Sequence, residues 1–178
     1  AGRPVLLVRC DKPGGTRIRP GEDNVRNAVS LVSDGSLAEL ARRLGVERVD
    51  ARRFRMLVEI EGAGAHEEDT WMGGSVAIGS AVLEITKPDA RCAITTQDPE
   101  TGERDLDTLR TIVRYRGFRE GDPERKIDFG VLGEVLRAGR ISVGDEVVPQ
   151  AAGTTAELTA WGDSESSVAI ERPESVIG

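Results

Sequence analysis

The residues with the most chemistry to offer lie in one stretch, Lys87 to Gly102, which reads KPDARCAITTQDPETG. It holds Cys92, one of only two cysteines, directly after Arg91. A thiolate is a nucleophile and a soft metal ligand, and a neighbouring cation favours it. If Cys92 opens a strand, as the β-branched run Ala93-Ile94-Thr95-Thr96 predicts, Arg91 points to the opposite face. Adjacency in sequence then does not bring the charge to the sulfur. After the run, Asp98-Pro99 and Thr101-Gly102 predict a tight turn.

Composition narrows what this thiol can do. A thiol protease needs a histidine, and His66 is the only one. A structural zinc site needs several soft ligands, and two cysteines with one histidine are too few. Cysteine is among the most buried residue types, so composition alone favours a small core hydrophobe. The functional alternative is a single thiolate completing the coordination of a metal whose other ligands come from a cofactor.

Two other clusters carry charge. Arg48, Arg52, Arg53 and Arg55 fall within eight positions. They read either as a solvated run or as an anion clamp. In an extended segment Arg53 and Arg55 share a face, because strand side chains alternate. The loop Gly62 to Gly74 holds His66, Glu67, Glu68, Asp69 and Trp71. Consecutive carboxylates rarely converge on one ion, so this loop reads as solvated, with Trp71 anchoring it to the body.

The elements that must hold these residues are short. Strands are expected at Pro4–Val8, Ala28–Val32, Met56–Ile60, Ser75–Ile78, Ala81–Ile85, Ile127–Arg137 and Arg140–Val148, with a strand-like run at Ala156–Trp161. Cys10 to Asn24 reads as a loop. Ser36 and Glu39 predict a capping box for a helix that buries Leu37, Leu40, Ala41 and Leu44 and stops at Gly45. A second helix is expected over Leu106–Tyr115 with Asp105 as its cap. Gly79-Ser80 predicts a hairpin, Gly133 a bulge and Gly144-Asp145 a turn. Short strands with glycine turns and two peripheral helices predict a mainly β fold, a closed or nearly closed barrel. The expectation is one domain over 1–178, with 150–178 as a less specified extension.

With 178 residues, 38% apolar and 31% charged, the chain is globular in composition. A net charge of −7 argues against a nucleic-acid partner. No apolar run reaches the length of a membrane span, and no signal peptide is visible. Few cysteines fit a reducing cytoplasm. The chain opens at Ala1 without an initiator methionine, as expected of a trimmed chain or a piece of a longer protein.

Taken together these motifs resemble the MOSC family, named for the C-terminal domain of molybdenum cofactor sulfurases. The resemblance rests on Ala90-Arg91-Cys92 with Thr95-Thr96, Asp98-Pro99 and Thr101-Gly102. Arg53-Phe54-Arg55, Glu68-Asp69-x-Trp71 and Ile78-Gly79 stand upstream in the family's order, and Ser36-Leu37-Ala38-Glu39 sits where the family has a helix. Downstream, Gly139-x-Ile141-x-Val143-Gly144-Asp145-x-Val147 is similar to the family's closing strands. The match runs from about residue 28 to residue 148. It implies a β-barrel that holds the molybdenum cofactor, with the metal bonded by the pterin dithiolene and by Cys92. Arg55 and Arg91 would hold the pterin phosphate or ring edges, with Arg53 as a further candidate, and Ala90 and Cys92 complete the cofactor-binding set that the resemblance implies.

The family includes reductases of amidoximes and other N-hydroxylated compounds, which take electrons from a donor protein or partner domain. Other members carry sulfur to the cofactor, so Cys92 as a persulfide carrier is an alternative. A degenerate module without catalysis is a third. Pyridoxal phosphate would need a lysine, and only Lys87 lies near the motif. Two departures bear on binding: Leu57 stands where the family has an asparagine, and Ala90 where the reductases often have serine. The opening Gly2-Arg3-Pro4-Val5 resembles the junction after an N-terminal partner domain, which is expected to be missing.

Overall fold

The computed structural model describes residues 29–150. The expected strands at Pro4–Val8 and Ala156–Trp161, the loop at Cys10–Asn24 and Cys10 itself lie outside them. In chain order the elements are β1 (Val29–Ser33), α1 (Asp34–Leu44), β2 (Val58–Ile60), β3 (Ser75–Ile78), β4 (Ala81–Ala90), α2 (Thr108–Arg116), β5 (Asp128–Arg137) and β6 (Val147–Gln150). Three 3-10 turns, at Ala51–Phe54, Glu67–Trp71 and Ala93–Thr96, carry or directly adjoin most of the chemistry-bearing residues.

The six strands form one curled half-barrel sheet in the order β2-β1-β5-β4-β3-β6. All pairs are antiparallel except β1 with β2, which α1 connects in parallel. The fold is mainly β with two helices, as expected. Among the described residues β2 and β6 each pair on one side only, so the sheet does not close there.

Several boundaries move, each for a local reason. The α1 helix begins earlier than the capping-box reading. Ser33, not Ser36, is the cap, and its Oγ accepts from the Ser36 backbone N at 3.1 Å. Glu39 instead pairs with Arg42 and Arg43 one turn on. The α2 helix starts at Thr108, so Asp105 is not its cap. Residues 138–146 form no strand. Arg140 bonds back to Ser80, and Ser142 with Asp145 closes a turn where Gly144 takes a φ of 92°. That segment folds over the β3–β4 hairpin instead of extending β6.

Two apolar clusters pack against the sheet. One joins Leu31, Ile60, Trp71, Val76, Leu83, Ile85 and Val131. The other joins Val32, Phe54, Ile112 and Phe129 with Leu37 and Leu40 of α1. Alternation places Leu31 and Val32 on opposite faces. Phe129 and Val131 should share a face by the same rule, yet they serve different clusters. Gly130 between them takes a φ of 75°, and a Cβ there would lie 2.6 Å from the Leu31 carbonyl oxygen. Glycine lets β5 turn over at that point and lie close against β1.

Candidate functional site

The thiol stands at the end of a strand, not at its start. β4 ends at Ala90, and the Arg91 backbone N donates to Ile127 O at 2.7 Å. Cys92 is extended and precedes the Ala93–Thr96 turn. The strand expected over Ala93–Thr96 is replaced by this 3-10 turn. Thr95 Oγ1 donates to Cys92 O at 3.2 Å, and Thr96 Oγ1 donates to Ala93 O at 2.7 Å. Such side-chain bonds to the backbone three residues back offer the chain an alternative to a sheet ladder. The Asp98–Gly102 turn forms as expected, with Asp98 Oδ1 accepting from the backbone of Glu100 and Thr101. Those two N–H groups hold the Asp98 carboxyl below the usual carboxylate range.

Cys92 is exposed, so the buried-hydrophobe reading that composition favours does not hold. Ala90 and Ala93 beside it are exposed as well. The sulfur meets water on a small-residue surface, and no described residue bonds to it.

The arginines of the sequence reading have three different surroundings. Arg91 has a side chain only 7% exposed. It donates to Phe129 O at 2.7 Å, to Phe54 O at 3.0 Å and to Met56 Sδ at 2.8 Å, and it pairs with Asp89 at 2.6 Å. Its guanidinium therefore ties β4 and β5 to the Ala51–Phe54 turn. Arg53 is also buried and forms a fork onto Asp105, at 2.7 and 2.5 Å, with Asp98 at 3.6 Å. This fork holds the Asp105 carboxyl below its usual range.

Arg55 is exposed, takes a left-handed φ of 52° and pairs with no described residue. Arg53 and Arg55 thus do not share a face. The segment is a 3-10 turn ending in a left-handed residue, not a strand, because Asp50 caps it through the Arg52 backbone N. Arg52 pairs with Asp50 and Glu100. Leu57, in the family's asparagine position, is 68% exposed.

The acidic loop is the larger surprise. Glu68 is fully buried, not solvated. Its carboxylate accepts from Ser33 Oγ and Ser36 Oγ, both at 2.7 Å. His66 lies half-buried between Ser36, Tyr115 and Arg116. Arginine can only donate, so His66 Nδ1 accepts from Arg116 and Nε2 carries the hydrogen toward the Tyr115 hydroxyl, 3.1 Å away. Burial and the Arg116 charge lower the His66 pKa from its ordinary 6.5. Burial pushes the Tyr115 hydroxyl up to about 12. Arg116 also pairs with Asp69 at 2.5 Å. Trp71 is buried in the core, as expected. One signal in the sequence could have found this cluster: Ser33, Ser36 and Glu68 are short donors and an acceptor flanking apolar core positions.

Among the described residues no three His, Cys, Asp or Glu groups converge on a point that could hold a metal. Two open surface cavities, of about 450 and 490 Å³, are lined by 119–124 with Lys126 and by residues between 34 and 59; neither includes Cys92. The donor set at Cys92 is therefore one exposed soft ligand. That fits a metal whose remaining ligands arrive with a cofactor, and not a metal held by protein alone.

Among the described residues, the β half-barrel presents a single exposed thiol from a threonine-braced turn, which makes a one-ligand site. A model of the MOSC domain matches residues 17–148, and the chain belongs to that family. It is 32% identical over 125 residues to mitochondrial amidoxime reducing component 2 of Bos taurus, covering 67% of this chain and 36% of that protein. It is 27% identical over 177 residues to the molybdenum cofactor sulfurase of Bos taurus, covering 83% of this chain and 19% of that one. The chain thus spans about a third or less of the length of these curated relatives. Among solved structures, YiiM from Geobacillus stearothermophilus has a TM-score of 0.49 at 19% identity, covering 73% of this chain and 57% of that chain. No helix among the described residues is long and apolar enough to cross a membrane.

Proposed function

We propose that the chain binds the molybdenum cofactor through Cys92 and, with the cofactor bound, reduces N-hydroxylated compounds. The observation that carries this reading is the exposed thiol of Cys92, which no described residue engages. A structural cysteine is expected inside, and this one faces outward on a surface of small residues. The similarity to amidoxime reducing components supports the choice of reaction.

The residues take distinct roles. Cys92 supplies the protein's bond to the metal. Arg55, whose side chain pairs with no described residue, would hold the anionic phosphate of the pterin. Arg91 and Arg53, named with it from the sequence, hold the surrounding backbone, since their guanidinium groups are already engaged. Ala90 and Ala93 keep the approach to the sulfur open. The bound cofactor supplies a two-electron redox centre. An electron-donor protein or partner domain and a small N-hydroxylated substrate complete the system.

The test is metal analysis of protein made in a host that produces the cofactor. About one molybdenum per chain is expected in the parent and none in Cys92→Ala, with turnover of an N-hydroxylated substrate lost in parallel. Retained metal or turnover in the variant rejects the assignment. The similarity to molybdenum cofactor sulfurase favours a second reading, in which Cys92 carries a persulfide. That reading requires one added sulfur on Cys92 after reaction with a sulfur donor, with no metal present.

A further inference from the structure

We propose that the Arg53–Asp105 pair positions Cys92 relative to Arg55, so that Asp105 sets the charge environment of the thiolate without touching a ligand. The inference rests on the reading of Cys92 and Arg55 as the cofactor's contacts.

The fork links the two segments. On one side, Arg53 belongs to the turn that ends at Arg55, whose backbone N bonds to Arg52 O at 3.2 Å. On the other, the backbone N groups of Asp105 and Leu106 both donate to Thr96 O, at 3.2 and 3.4 Å. Thr96 closes the turn that Cys92 opens, and Thr95 is bonded to Cys92 O through both its N and its hydroxyl. From Asp105 the path to the cysteine backbone is thus hydrogen-bonded at every step. Thr95 Oγ1 also meets Thr108 Oγ1 of α2 at 2.9 Å, which ties the same turn to the helix.

The geometry of the fork is demanding. The Arg53 side chain is 5% exposed, and its Nε is buried without a partner. The charge therefore depends on the two carboxylates in front of it. Removing the nearer one leaves a buried cation with only Asp98, and the guanidinium must swing toward that residue. Arg91 ties the near end of the loop, through Phe54 O, and the fork ties the far end. Two ties at opposite ends fix both the position and the tilt of the cysteine turn against the Arg55 segment.

The test compares two alkylating reagents on the cofactor-free chain. Iodoacetate is anionic and iodoacetamide neutral. Trypsin releases Cys92–Arg104 as one peptide, so the rates at Cys92 are read apart from Cys10. The ratio of the anionic to the neutral rate reports the cation at the thiolate and not the openness of the loop. On the reading that Arg55 and Cys92 share a site, Arg55→Gln should lower this ratio about threefold, the size of effect that one surface charge has on a neighbouring group. Asp105→Asn should lower it as well, and the double variant no further. The direction is diagnostic: Asp105→Asn removes a negative charge, which by itself would raise the ratio.

Equal acceleration of both reagents in Asp105→Asn, with an unchanged ratio, would show a purely structural tie and overturn the proposal. So would an Arg55→Gln ratio equal to that of the parent. Should Asp105→Asn not fold, Arg53→Lys keeps the charge but loses the fork, and the same fall is expected. Because the measurement needs no molybdenum, a parent that fails to load metal would reject the functional reading while leaving this one to its own result.

Discussion

Two polar segments, 62–74 and 91–105, are alike in composition: each follows a strand, is rich in charge and is short of large apolar residues. In the fold they are opposites. The first turns its carboxylate Glu68 inward, meets it with two serine hydroxyls and seals His66 against Tyr115 and Phe129. The second turns its thiol outward and spends its hydroxyls on its own backbone. The difference follows from where donors are available. Glu68 has Ser33 and Ser36 within reach, so burial leaves no acceptor unmet. Cys92 has no such company and gains nothing by burial that its turn does not already supply. A polar group placed inside is a staple, and a reactive group placed outside is free for a ligand.

The comparison can be broken most sharply by paired substitutions. Glu68→Ala removes the buried acceptor that the Ser33 and Ser36 hydroxyls share and opens a hole, and should cost about 3 kcal/mol in denaturant unfolding. Cys92→Ala, at an exposed position, should stay within about 0.5 kcal/mol of the parent by the same measurement. Equal costs would show that the thiol is structural after all.

A pH titration of the melting temperature sharpens the contrast. The folded His66 pKa is lowered, so the unfolded chain takes up the proton first as pH falls below 6.5. The stability the neutral ring contributes is present above 6.5 and is lost as pH falls from there toward the lowered folded value. His66 is surrounded by Arg116, Asp69, Glu68, Glu39 and Tyr115, and of these the Arg116 charge opposes its protonation. His66→Gln should therefore flatten the fall in melting temperature between about pH 7 and about pH 5. An identical slope in parent and variant would place the titration elsewhere.

The smallest expected effect lies at the open segment. Leu57→Asn restores a side chain able to bond a polar ligand, and should tighten cofactor retention by about 1 kcal/mol, roughly fivefold. Its melting temperature should stay near that of the parent, since Leu57 is mostly exposed. No gain in retention would mean that position 57 lies beyond reach of the bound group.

The sequence by itself determined the periodic and the local. The apolar face of α1, the Gly79-Ser80 hairpin, the Asp98–Gly102 turn and the burial of Trp71 were all legible. Each depends on residues a few positions apart, and the ordered motifs around Cys92 were enough to identify the family. Tertiary structure decided which charges are spent and which are left. Arg53, Arg55 and Arg91 look equivalent as text, but a fork onto Asp105, two backbone carbonyls and an unmet left-handed position give them different work. It also decided that Glu68 goes in and Cys92 stays out. Partners 32 to 52 residues apart in sequence set these outcomes, and pairing energy at that separation leaves no periodic trace in the chain.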